Sequence, residues 1–219
     1  MCVCAACLPR RDLSRCRDFG DSVTVSHAQH QRRGNRDLLA RRRRIKEPGT
    51  PDKTYFHQDI SYFHVEGEQI CTSWLPVDPV TEVNGGLQFI KGSHRWGKRY
   101  RPNHFVTDRP MDDTEGEIVP DFHADRRDRV ILQFDMQPGD VTVHHCRTLH
   151  GAPENASPTM RRRALSVRYC GDDARYRIRR GVPQKPHHAG VADGDALDHP
   201  DCPVVWNGAP IALRSRVPR

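Results

Sequence analysis

A mainly β fold, a barrel or a sandwich, is predicted by two features of this 219-residue chain. Short β-like runs alternate with turns from Thr54 onward, and no convincing long helical period follows residue 50. The length suits one domain with a sizeable core. Hydrophobic residues make up 36% and charged residues 29%, with a formal net charge of +7 and much of the excess in arginine. No apolar run reaches the length of a membrane span, and no secretory leader is visible at the start. The eight cysteines are therefore expected as reduced thiols in a cytoplasm rather than as a disulfide framework.

Residues 1–44 form an Arg/Cys-rich segment with no core-forming period, expected to be poorly ordered. Cys2, Cys4, Cys7 and Cys16 cluster there. Thiolates so close could bind zinc or an iron–sulfur cluster, but their spacing matches no common pattern, and free thiols are the simpler reading. Arg32-Arg33 and Arg41-Arg42-Arg43-Arg44 could contact phosphate backbones, or form a solvated arm. A short helix over 37–45 has weak support. Pro48-Gly49-Thr50-Pro51 marks a turn and the start of the folded unit, 45–219.

Within that unit residues 69–75 read as a strand ended by Pro76, Asn84-Gly85-Gly86 as a turn, and 87–90 as a strand ended by Gly92-Ser93. Residues 95–129 are long, polar and irregular, as functional loops are. Strands follow at 130–136 and, after the turn Pro138-Gly139-Asp140, at 141–145 and 161–169. Beyond Gly171 the chain is rich in Pro, Gly, His and Asp. His187-His188 could ligate a metal, but no third ligand lies nearby at regular spacing, so an exposed loop is expected. Residues 203–206 are the apolar patch expected to strap the tail onto the body.

His57 and Asp59 carry the chemistry. In extended backbone residues i and i+2 face one side, so an imidazole and a carboxylate share a focus. His150, far downstream, would complete two histidines and one carboxylate on one face of a metal. That set leaves three positions open and suits non-haem Fe(II) that must bind a co-substrate and O₂. His94 ends a turn and reads as structural. His144 and His145 point to opposite faces, so one at most is inward, and structural roles are the preferred reading for both. Trp74 flanks a pocket or belongs to the core.

Several segments in order resemble the phytanoyl-CoA dioxygenase family of Fe(II)- and 2-oxoglutarate-dependent oxygenases. They are Lys46-Glu47-Pro48-Gly49-Thr50-Pro51, His57-Gln58-Asp59, the Trp74 strand, Asn84-Gly85-Gly86-Leu87 leading to Gly92-Ser93-His94, Pro138-Gly139-Asp140, Thr148-Leu149-His150-Gly151 and Arg162-Arg163-Ala164-Leu165-Ser166. The resemblance implies a double-stranded β-helix, a jelly-roll barrel with its metal near one mouth. It implies His57, Asp59 and His150 as iron ligands, Arg162 as the residue holding the distal carboxylate of 2-oxoglutarate, and Trp74 beside that co-substrate. Strand alternation puts Ala164, Ser166 and Arg168 on the face of Arg162, with Arg161 and Arg163 opposite. Related halogenases have a small residue where Asp59 stands, so the carboxylate argues for hydroxylation. Family members carry more ordered chain before His-x-Asp than is present here, a departure that bears on stability and activity.

The expected function is a dioxygenase that hydroxylates an unidentified small-molecule or acyl substrate with Fe(II), 2-oxoglutarate and O₂, with 95–129 covering the pocket. The competing readings are a non-catalytic or degenerate metal-binding barrel, and a nucleic-acid binder working through the Arg-rich arm.

Overall fold

The structure, a computed structural model, describes residues 6–8, 23–27, 45–122 and 130–206. Its strands are β1 (Ala6–Leu8), β2 (Val23–His27), β3 (Ile45–Lys46), β4 (Thr54–His57), β5 (Val65–Glu66), β6 (Ile70–Pro76), β7 (Gln88–Ile90), β8 (Ile131–Gln133), β9 (Val141–His145), β10 (His150–Ala152), β11 (Arg162–Cys170), β12 (Arg175–Tyr176) and β13 (Val204–Trp206). Asp59–Tyr62, Ser93–Arg95 and Pro186–Gly190 are 3-10 turns, and the described residues contain no α-helix. Among those residues no helix is long and apolar enough to cross a membrane. Apart from β1 and β2, the 1–44 segment and its cysteine and arginine clusters lie outside the described residues.

The strands form two main antiparallel sheets. The larger runs β1-β9-β6-β11-β2-β13, with β3 also on β11, and the smaller runs β4-β10-β7-β8. This is the expected jelly-roll arrangement, although no strand pairing joins the two sheets into a closed barrel among the described residues. At its centre β6 pairs with β11 from Ile70↔Cys170 to Pro76↔Ala164 and with β9 on its other edge. Two neighbours and a mostly buried side-chain pattern explain its apolar and β-branched sequence. The tail patch joins the larger sheet as β13 on β2, but Val204 and Val205 stay exposed, so backbone pairing and not the expected apolar packing holds it. The apolar run at 130–136 is a strand only over Ile131–Gln133. Its end leaves the smaller sheet, and Met136 bridges to Val80 instead.

Three apolar clusters flank the polar interior. Ile60, Phe63, Ile70 and Tyr176 pack in one; Phe56, Ile90, Tyr100, Phe122 and Leu149 in a second; Trp74, Val80 and Met136 in a third. Ile70, Ile90 and Leu149 are fully buried, each contributing roughly 1.5–3 kcal/mol by leaving water. The long loop reaches the second cluster through Tyr100 and Phe122, and so lies over the smaller sheet. Its irregular backbone agrees with the sequence; isolated backbone bonds, such as Tyr55 N–H to the Phe105 carbonyl, and side chains fix it in place. Ser61 donates to the Tyr100 carbonyl, and the Asn103 amide donates to that of Phe56.

Candidate metal centre

Strand pairing brings His57 and His150 together. β4 and β10 are antiparallel with His57 directly opposite His150, and the imidazole centroids lie 4.3 Å apart. Gly151 makes the approach possible: a Cβ there would stand 2.6 Å from the Thr54 carbonyl oxygen. Asp59 begins the 3-10 turn just past β4, but Gln58 is still extended, so His57 and Asp59 keep the alternation expected of them. Gln58 faces the other way. Its amide donates to the Lys98 and Arg147 carbonyls and accepts from the Tyr100 N–H. The middle residue of His-x-Asp thus fastens the long loop to the β9–β10 connection.

His57, Asp59 and His150 are all buried and offer ligand atoms within 4.8 Å of one another. The Nε2 atoms of His57 and His150 each lie 3.8 Å from Asp59 Oδ1. Both rings are oriented identically: Nδ1 of His57 meets the Tyr55 carbonyl at 2.8 Å and Nδ1 of His150 meets that of Thr148 at 2.9 Å. A carbonyl only accepts, so each Nδ1 carries the proton and each Nε2 directs a lone pair at the focus. Burial holds both imidazoles below their ordinary pKa, His150 strongly, which keeps them neutral and able to ligate. Burial opposes the charge on Asp59 as well, but Arg168, His150 and His144 outweigh it and hold the carboxyl well below its usual range. The donor set is therefore deprotonated and preformed at neutral pH.

Arg162 is buried at the start of β11, 2% exposed, while Arg161 and Arg163 are exposed. They pair on the surface with Glu47 and Asp78. The register is the one read from the alternation. The Arg162 guanidinium carbon lies 5.6 Å from the Trp74 ring centroid, so Trp74 is both core and neighbour to this cation. Burial lowers the Arg162 pKa to about 10, leaving it charged. Opposite it on β3 stands Lys46, also buried. Burial first and Arg162 second bring its pKa down to about 8. The Lys46 stem runs past the turn at Gly85, where any Cβ would collide with it.

Sequence reasoning missed three residues at this centre. Thr72 donates its hydroxyl to Asp59 Oδ2. His144, 1% exposed, has Nε2 3.7 Å from the same oxygen, and among the described residues neither ring nitrogen makes a hydrogen bond. Arg168 Nη2 is 3.6 Å from Oδ1. Alternation along β9 allowed at most one of His144 and His145 to face inward, and His144 does so. His145 faces away and donates to the Glu68 carbonyl. His94 sits in the Ser93–Arg95 turn, as expected. The exposed-loop expectation for His187 and His188 needs correction. His188 is buried against His64, and the third ligand that local spacing lacks comes from further on, since His199 and Asp201 lie beside His187.

The family model for phytanoyl-CoA dioxygenase matches residues 8–164. A "probable alpha-ketoglutarate-dependent hypophosphite dioxygenase" of Stutzerimonas stutzeri is 30% identical over 140 residues, covering 58% of this chain and 43% of that protein. Phytanoyl-CoA dioxygenase 1 of Oryza sativa subsp. japonica is 28% identical over 153 residues, covering 65% and 49%. The chain thus spans less than half the length of these curated relatives. Among solved structures, the non-heme alpha ketoglutarate dependent carbocyclase SnoK from nogalamycin biosynthesis is similar, with a TM-score of 0.55 and 28% identity over 74% of this chain and 58% of that one.

Proposed function

The chain belongs to the phytanoyl-CoA dioxygenase family, and from that premise we propose that it is an Fe(II)- and 2-oxoglutarate-dependent dioxygenase that hydroxylates a small-molecule or acyl substrate. The observation that carries the reading is the convergence of two Nε2 lone pairs and one carboxylate oxygen in a buried focus. That donor set fits non-haem Fe(II) and leaves open positions. Bound Fe(II), with 2-oxoglutarate and O₂, supplies the oxidising power for hydroxylation, releasing succinate and CO₂.

The chain's own residues do the rest. His57, Asp59 and His150 hold the ion from one side. Thr72 occupies Asp59 Oδ2 and so directs Oδ1 toward the two imidazoles. Arg162 offers a planar, charged fork to the distal carboxylate of the keto acid, and Lys46 adds a second cation nearby. Ala164 and Ser166, on the same strand face, leave room for its carbon chain. Tyr62 and Phe105 stack on each other and each meets His57 in a T-shaped contact, shielding the metal side from water.

The names of related proteins range over hypophosphite, phytanoyl-CoA and 1-deoxypentalenic acid, so kinship alone does not choose a substrate. Anaerobic titration of the full chain with Fe(II) and 2-oxoglutarate, then a screen for substrate-dependent succinate release, tests the reading. A chain that binds neither would return it to a non-catalytic barrel. We further propose that 45–219 is the unit carrying the site. A chain beginning at Ile45 should bind Fe(II) as the full chain does, and loss of binding would show that 1–44 braces the sheets.

A further inference from the structure

One row of side chains crosses three strands of the larger sheet. Thr72 on β6 is flanked by His144 on β9 and Arg168 on β11, and all three approach Asp59. Arg168 is the charged member. Its guanidinium lies 5.2 Å from the Phe63 ring centroid, and its Nε is buried with no hydrogen-bond partner among the described residues. Its one anionic neighbour among those residues is Asp59, at 3.6 Å. That same oxygen faces both histidine Nε2 atoms.

Charge counting shows what the centre lacks. Lys46, Arg162 and Arg168 are cations around it, and Asp59 is the one buried anion among the described residues. On the reading proposed above, a divalent ion adds two positive charges and 2-oxoglutarate two negative ones. The distal carboxylate of the keto acid belongs with Arg162 and Lys46, and its other carboxylate belongs with the metal. Arg168 is then left to share Asp59 with a metal ion of its own sign. A guanidinium cannot shed its proton to escape, and a buried cation without a partner is strongly unfavourable. Depth separates the two inward arginines of β11. Arg162 is buried, whereas Arg168 is only partly so, its side chain keeping 14% of its exposure.

We propose that Arg168 determines specificity: it selects a substrate bearing an oxyanion, a carboxylate or a phosphonate, and pairs with that group while the C–H bond to be oxidised lies over the metal. The fork is suited to either oxyanion. The proposal rests on the iron and 2-oxoglutarate reading of the same centre.

The test is calorimetric titration of the full chain, loaded with Mn(II) and 2-oxoglutarate, with hexanoate, hexylphosphonate and the neutral hexanamide. The charged probes should bind about tenfold or more tighter than hexanamide. Stronger binding of one than the other names the oxyanion. Arg168→Gln, which keeps a donor and loses the charge, should erase that preference, and Arg168→Lys should restore part of it. Equal binding of charged and neutral probes overturns the proposal. So does a loss of Mn(II) affinity in Arg168→Gln with the preference intact, which would make Arg168 only a brace for Asp59. If the chain takes up neither Mn(II) nor 2-oxoglutarate, the reading of the centre falls separately. Titration of the metal-free chain then decides on Arg168: a preference for hexanoate over hexanamide that Arg168→Gln erases supports it, and no preference overturns it.

Discussion

Two clusters in this molecule have the same composition and different physics. His57, Asp59 and His150 form one, and His187, His199 and Asp201 form the other; in each, two imidazoles and a carboxylate offer atoms within 4.8 Å. In the first, paired strands set the two histidines opposite each other, both Nδ1 protons are fixed by carbonyls, and the carboxylate is buried. In the second, His187 Nδ1 lies 3.1 Å from Asp201, but His199 Nδ1 accepts the Asp201 N–H. In its neutral form the His199 ring then carries its proton on Nε2 while Nδ1 is engaged, so neither nitrogen offers a free lone pair. The Asp201 side chain is 63% exposed. The contrast teaches that ligand count does not make a site. What matters is where the protons sit, and whether the fold has already met the entropy of gathering the ligands.

The sharpest way to break this contrast is Asp59→Ala. On the proposed reading the substitution removes the sole anionic ligand, and Mn(II) binding followed by electron paramagnetic resonance should weaken beyond the roughly 10–100-fold typical of losing an outer partner. Succinate release should vanish while the fold persists. Unchanged succinate production would exclude Asp59 as a ligand.

Next in size is Arg162→Ala. The metal could still chelate the keto-acid end, but the distal carboxylate would be buried beside Lys46 alone. An effect of about 3–5 kcal/mol, two to three orders of magnitude in the Michaelis constant for 2-oxoglutarate, is expected with little change in metal affinity. Arg161→Ala and Arg163→Ala remove exposed pairs with Glu47 and Asp78 and should change that constant little. A large defect at either of these would shift the inward face of β11 by one residue.

Much of the buried cluster was legible because it depends on alternation. His57 and Asp59 at i and i+2, and Arg162 with Ala164, Ser166 and Arg168 on one strand face, are local consequences of extended backbone. The position of His150 directly opposite His57 depends on which strands pair, and only the family resemblance put it in the site. Pairing also sets Thr72, His144 and Arg168 in one row, each on a different strand. Nothing local to each residue reveals that convergence. β3, β5 and β12 have two residues each, too few for any period to register. His199 and Asp201 reach His187 through loops, whose course no pattern encodes.

Gly151→Ala probes how far the buried cluster depends on strand proximity. The added methyl would meet the Thr54 carbonyl and stand 3.2 Å from the Phe56 nitrogen, both backbone atoms unable to swing aside. β10 would have to move away from β4, carrying His150 with it. Thermal unfolding should show a loss of about 1–3 kcal/mol, the usual range for overpacking, accompanied by weaker Mn(II) binding. A stability loss without any change in Mn(II) affinity would mean that the two histidines tolerate more separation than the preformed geometry suggests.

The smallest expected effect is at the second cluster, and it is the one that tests the principle behind the contrast. Zn(II) is the ion two imidazoles and a carboxylate would most readily take, so it gives this cluster its best chance. Binding there requires His199 to free one ring nitrogen, and taking either one breaks the bond from the Asp201 N–H, since Nδ1 is then ligated or protonated. It also requires the exposed Asp201 carboxylate to be held still, with its solvation lost. The buried cluster faces neither demand. A full chain titrated with Zn(II) at micromolar concentration should therefore bind one ion, lost in Asp59→Ala and unaffected by Asp201→Ala. Asp201→Ala should also cost less than about 1 kcal/mol of stability, as removal of a largely exposed partner does. A second Zn(II) equivalent that disappears in Asp201→Ala would show that proton placement is no barrier here, and the two clusters would then differ only in depth.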